Sequence, residues 1–199
     1  MSDDAVAAIR AGKPVILPTD TVYGLCADGY RAGPCERLAR LKQRPQATPI
    51  ALLAADFEMI LDAVPELRGR AAVAARALLP GALTLVLPNP ARRFRWLAAA
   101  RADTIGVRVP DLPDAAREVV ERVGVVAATS ANLHGGPDPS RVDAIPDEIL
   151  GAVGAVVDVG ELPGTPSTVV DLTGREPVVI REGAVPAEEA LDRIRAVAA

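Results

Sequence analysis

Short apolar runs and amphipathic segments alternate along the chain, and their two periods predict different elements. Ser2-Asp3-Asp4 reads as a helix start and Gly12 as its stop, which predicts a short helix over 5–11. Pro14-Val15-Ile16-Leu17 is a brief apolar run that predicts a buried strand. The polar stretch Pro18-Thr19-Asp20-Thr21 follows with no regular period, at the kind of strand end where α/β proteins place binding groups. Further helices are predicted over 34–41, 56–62, 66–79, 114–123 and 147–152, and from Pro186 onward. Further strands are predicted over 50–54, 83–87, 104–109, 125–128, 155–159, 168–172 and 178–181, the last two flanking a Thr173-Gly174 hairpin turn. The Gly- and Pro-rich segment 129–140 reads as a surface loop. Helices and strands alternate at first and the later strands crowd together. That order predicts one α/β domain over 1–199 with a mixed sheet and flanking helices.

Composition narrows the chemistry. Aromatic residues make up only 3% of the chain, so the core must be built from Ala, Val, Leu and Ile. The net charge of −4 lacks the basic excess of a general nucleic-acid binder, so any polyanion must be small or meet a local basic patch. Cys26 and Cys35 form neither a disulfide framework nor a zinc-ligand spacing, and no metal-binding residues are assigned. The acidic start is unlike a signal peptide, and no run approaches the ~20 apolar residues that span a bilayer. A cytoplasmic location without membrane attachment is expected.

The familiar catalytic motifs are missing. There is no G-x-x-x-x-G-K-S/T loop, no G-x-G-x-x-G, no G-x-S-x-G and no H-E-x-x-H. His134 is the single histidine and lies in a Gly-rich loop with no orienting partner, so it reads as a solvated loop residue. What remains is polar side chains at predicted strand and helix ends: Thr19 to Thr21, Lys42 and Arg44, Thr104 and Arg108, Thr129, Ser130 and Asn132, then Ser167 and Arg181. Arginine forks match phosphate and carboxylate oxygens. The residues alone leave two readings open, a small-anion pocket or scattered surface charge.

A resemblance adds to this. Leu17-Pro18-Thr19-Asp20-Thr21-Val22-Tyr23-Gly24-Leu25 resembles the opening motif of the YrdC/TsaC family, Lys42-Gln43-Arg44-Pro45 its K-x-R signature and Ser130-Ala131-Asn132 its S-x-N signature. Pro80 to Thr84, Gly106 to Pro110 and Ser167 to Asp171 are similar to further blocks in the same order, and the likeness runs over about residues 5–186. The resemblance implies a twisted open YrdC-like sheet around a central positive cavity. It also implies synthesis of threonylcarbamoyladenylate and pyrophosphate from L-threonine, bicarbonate and ATP with Mg²⁺. The product would pass to a threonylcarbamoyl-transferase complex acting on tRNA, and weak RNA binding is a further implied partnership.

Carried over by position, the resemblance implies a threonine end formed by Thr21, Arg108, Ala128 and Ser167. It implies an ATP end formed by Lys42, Arg44, Thr48, Thr104, Ser130, Asn132, Ser140 and Arg181, with Lys42, Arg44, Ser130 and Asn132 in the catalytic role. Two positions depart from the family pattern: Thr48 stands where many members have Asn, and Leu53 where some have His. The chain resembles the short type without a further C-terminal domain. Two other functions compete, a double-stranded RNA or tRNA binder without catalysis and a carbamoyl-adenylating module of the hydrogenase-maturation type. The acidic charge speaks against the first. The absence of acylphosphatase-like and zinc-finger segments speaks against the second.

Overall fold

A computed structural model describes residues 1–43 and 48–198. Seven α-helices and eight strands occur among the described residues: α1 (Ser2–Arg10), β1 (Val15–Leu17), β2 (Gly24–Asp28), α2 (Ala32–Leu41), β3 (Ala51–Leu53), α3 (Phe57–Ala63), α4 (Gly69–Leu78), β4 (Leu83–Pro88), β5 (Thr104–Arg108), α5 (Asp114–Val123), β6 (Val126–Ser130), α6 (Asp147–Leu150), β7 (Thr168–Asp171), β8 (Val178–Arg181) and α7 (Ala187–Ala198). All eight strands join one sheet in the order β1-β2-β6-β3-β5-β4-β7-β8. The pairs β3/β5 and β4/β7 are parallel and the other five antiparallel, so the sheet is mixed as expected.

The strands sort their side chains with period two. Ile16, Leu25, Ala27, Leu52, Ala127, Leu83, Leu85, Leu87, Ile105, Val107 and Val170 enter the larger apolar cluster, which α2, α3, α4, α6 and α7 complete. Their neighbours Val15, Leu17, Cys26, Leu53, Val126 and Ala128 face the other way and meet α1 and α5. That second helical layer covers only the β1-β2-β6-β3 end. Across β5, β4 and β7 the same face presents Thr104, Gly106, Arg108, Thr84, Val86 and Val169, and these line a cavity.

Local signals place the helices. Asp56 caps α3 by accepting the Met59 amide at 2.8 Å. Gly124 ends α5 at φ 84° and ψ −156°, a backbone conformation that a side chain would strain.

Three expectations need correction. β2 was not predicted, because Gly24-Leu25-Cys26-Ala27-Asp28 offers few of the β-branched and aromatic residues that mark a strand. Segment 155–159 is not a strand: it forms one bridge, Ile16 to Val156, before Asp158 turns to the Tyr23 hydroxyl and Gly160 adopts φ 87°. Segment 129–140 is not wholly a surface loop, since Thr129 and Ser130 extend β6 and Ala131, Asn132 and Pro139 are buried.

Candidate active site

The cavity occupies about 520 Å³ over the half of the sheet that no helix covers, within the usual range of roughly 300–1,000 Å³ for ligand pockets. Ala98 to Arg101 form one side, and Pro166, Ser167, Ile180 and Arg181 another. Ala128 and Ser130 of β6 extend the floor toward Gly24 and Leu53. The described wall carries three arginines, Arg101, Arg108 and Arg181, and no acidic side chain.

Arg108 leaves the end of β5 with its side chain 12% exposed. Its Nη2 donates to Asp20 Oδ1 at 2.6 Å and Thr21 Oγ1 at 2.5 Å, with Thr19 Oγ1 at 3.4 Å. Its Nε is buried with no hydrogen-bond partner among the described residues. Burial pushes the Arg108 guanidinium below its ordinary value, the Asp20 carboxylate opposes that shift, and the nearby Arg181 charge adds to it. A buried donor without an acceptor is costly, about 1–3 kcal/mol. Asp20 is fixed in turn by the Asp111 amide at 3.2 Å.

Arg181, at the end of β8, donates to the Ser167 carbonyl at 2.7 Å and has no ion-pair partner among the described residues. Ser167 and Thr84 share a hydroxyl–hydroxyl bond of 2.8 Å. Arg101 pairs with Asp171 at 2.9 Å and reaches Thr173 Oγ1 at 3.1 Å. Burial pushes the Asp171 carboxyl up, but the Thr173 hydroxyl and the Arg101 guanidinium outweigh it and hold the group below its ordinary value.

Behind the wall, Lys42 follows α2 and is 4% exposed. Its ammonium donates to the Ser130 carbonyl at 2.5 Å, the Asn132 carbonyl at 2.8 Å and Asn132 Oδ1 at 2.6 Å. Ser130 Oγ donates to Asn132 Oδ1 at 2.7 Å, and Asn132 Nδ2 to the Gly136 carbonyl at 2.5 Å. The K-x-R lysine and the S-x-N residues therefore meet in space, but as a scaffold for the turn after β6.

Of the residues named from the sequence, the structure brings Thr104, Arg108, Ala128, Ser130, Ser167 and Arg181 to the cavity wall. Thr21 lies behind it with its hydroxyl on Arg108. Lys42 and Asn132 also lie behind it. Ser140 and Thr48 are half-buried away from the described wall, Ser140 accepting the Leu162 amide at 2.8 Å. Arg44 lies outside the described residues. Leu53, the departure from the family pattern, contributes an apolar surface to the floor. Thr19, Asp20, Thr84 and Arg101 were not assigned. The first two stood in the polar stretch beyond β1, whereas nothing marked Arg101 within its Ala- and Arg-rich neighbourhood.

With this arrangement in hand, comparison with known proteins is informative. The sequence model of the Sua5/yciO/yrdC family, described as telomere recombination, matches residues 7–183. The chain belongs to this family. As a Sua5/yciO/yrdC protein it is 36% identical over 186 residues to the threonylcarbamoyl-AMP synthase of Pyrococcus abyssi, covering 93% of this chain and 54% of that protein. It is 35% identical over 185 residues to a putative threonylcarbamoyl-AMP synthase of Mycobacterium tuberculosis strain H37Rv, covering 92% and 84% respectively. The crystal structure of P. abyssi Sua5 complexed with L-threonine superposes with a TM-score of 0.83 at 34% identity, covering 97% of this chain and 57% of that one. The chain thus spans little more than half the length of the Pyrococcus relative. No described helix is long and apolar enough to cross a membrane.

Proposed function

We propose that the chain is an L-threonylcarbamoyladenylate synthase. The reading rests above all on the cavity, where the largely buried Arg108 and Arg181, which has no ion-pair partner among the described residues, face one hollow beside the hydroxyls of Thr104, Ser130 and Ser167. Likeness to named threonylcarbamoyl-AMP synthases, one of them seen with L-threonine, supports it.

In this proposal the Arg108 end takes the threonine carboxylate, with Thr21 and Asp20 holding the guanidinium in place and Ala128 and Ser167 bordering the amino acid. A planar fork suits a carboxylate. Arg181, Thr104 and Ser130 serve the nucleotide, while Lys42 and Asn132 fix the turn that presents Ser130. Arg44, Thr48 and Ser140 are assigned to the nucleotide end by the family resemblance alone. Threonine's amine adds to carbon dioxide, losing a proton, and a carbamate oxygen attacks the α-phosphorus as pyrophosphate leaves. Cations already set in a low-dielectric hollow stabilise the charge that builds on the phosphoryl oxygens, and holding both substrates in line supplies much of the rate. Among the described residues no group of three or more His, Cys, Asp or Glu side chains could hold a metal ion. In this proposal Mg²⁺ enters with ATP, on its phosphates. The product is destined for a transferase that modifies tRNA.

The test is mass spectrometry of a reaction containing ATP, bicarbonate, Mg²⁺ and threonine, with serine as control. A threonine-dependent threonylcarbamoyl-AMP peak with matching pyrophosphate is the expected result. Its absence with both amino acids overturns the reading.

A further inference from the structure

Three of the chain's five Phe, Tyr and Trp residues gather at a second concavity, although the chain is poor in aromatics. This concavity, of about 720 Å³, is lined by Tyr30, Asp62 and the run Ala91 to Trp96, and shares no lining residue with the first. Phe94 lies between Tyr30 and Trp96, with ring centroids 5.9 Å from each. Trp96 Nε1 donates to the Gly29 carbonyl at 3.1 Å, which fixes the indole. The loop is built to hold this shape. Buried Asn89 donates to the Arg93 carbonyl at 2.7 Å and accepts its amide at 3.1 Å. Arg92 and Phe94 adopt φ values of 53° and 51°, a region that non-glycine residues enter rarely.

The charges at this concavity are uneven. Arg93 is neutralised by a two-point bond to Glu66 at 2.6 and 2.7 Å. Arg92 and Arg95 are exposed and have no ion-pair partner among the described residues. Asp62 is the one carboxylate on the lining. Two free guanidiniums against one carboxylate suit one phosphate group better than a triphosphate. Aromatic rings beside arginines form the usual platform for a stacked base with its phosphate.

We propose that this concavity binds one nucleotide unit, its base against the Trp96–Tyr30 wall and its single phosphate on Arg92 and Arg95. The unit can be a free nucleoside monophosphate or one residue of a single-stranded RNA. Trp96 is the chain's sole tryptophan and so reports on its own site. The experiment follows Trp96 fluorescence while the full chain is titrated with AMP and, separately, with a short single-stranded oligoadenylate. Saturable quenching is expected with AMP for a free nucleotide, or with the oligomer alone for an RNA residue. In the double variant Arg92→Ala/Arg95→Ala the affinity falls at least tenfold, whereas Arg181→Ala in the first cavity leaves it unchanged. Should the double variant misfold, Arg92→Gln/Arg95→Gln carries the same expectation. Three outcomes overturn the proposal: no quenching by either ligand at millimolar concentration, quenching that survives loss of both arginines, or quenching lost equally in Arg181→Ala. The result is separable from the synthase reading, which depends on the mass of the product.

Discussion

Replacing Lys42 by Met keeps the length of the side chain and removes its charge. Three acceptors converge on that ammonium: the carbonyls of Ser130 and Asn132, and Asn132 Oδ1. In Lys42→Met, Oδ1 keeps the Ser130 hydroxyl at 2.7 Å, but each carbonyl loses this donor. A buried acceptor left without a donor costs about 1–3 kcal/mol, so the two carbonyls set a range of roughly 2–6 kcal/mol. Removing a buried charge returns part of that. A net loss of about 2–4 kcal/mol is expected. For a chain of this size that lowers Tm by roughly 4–16 °C. Urea unfolding with an unchanged m-value and a lower midpoint is the assay. Arg at this position should not restore the parent, because no single nitrogen of a planar guanidinium can donate to three acceptors as the ammonium does. A change below about 0.5 kcal/mol would mean that the lysine is not holding the turn. Activity lost at unchanged stability would then return Lys42 to the direct nucleotide contacts expected from the sequence.

Arg181→Ala should lower threonine-dependent pyrophosphate release by ~10²–10³-fold, as for removal of a charge-stabilising donor, with the unfolding midpoint little changed. Activity within threefold of the parent would remove Arg181 from the mechanism. Gly106→Leu puts a side chain into the cavity floor: a Cβ there meets only Ala51, at 3.8 Å. It should abolish threonine binding in calorimetry while the far-UV spectrum stays native, and binding at parental affinity would contradict the floor. Burial pushes the Cys26 and Cys35 thiols up from 9.0 to about 12. The unfolded chain loses those protons first, so stability is whole below pH 9 and falls as pH rises from 9 toward 12. Neither thiol should react with an alkylating reagent at pH 8 until urea is added. Fast labelling of the native protein would refute their burial.

Most of the architecture was legible because period-two and period-3.6 patterns are local. The strands at 83–87 and 104–109 and the helix at 114–123 were found within a residue of β4, β5 and α5. β2 escaped because its strand character comes from its neighbours: it lies between β1 and β6, paired on both sides, and so tolerates Gly and Ala. Lys42 shows the limit for the site. A lysine beyond a helix looks solvated or ligand-facing in a sequence, and only the return of the chain 88 residues later supplies the carbonyl that claims it. Thr21 is similar, since its hydroxyl positions Arg108 rather than lining the wall. The cavity itself had no local signature. It exists because α1 and α5 stop short of half the sheet, which depends on how the whole chain is wound.

That half-covered sheet also governs how selectivity can drift. Residues on β4, β5 and β7 alternate strictly between the packed interior and the hollow, so a replacement at 84, 86, 104, 106 or 169 reshapes the binding surface while Leu83, Leu85, Leu87, Ile105, Val107 and Val170 keep the layer beneath intact. New substrate preferences are therefore open to single substitutions at every second position, with the scaffold's cohesion largely insulated from the experiment.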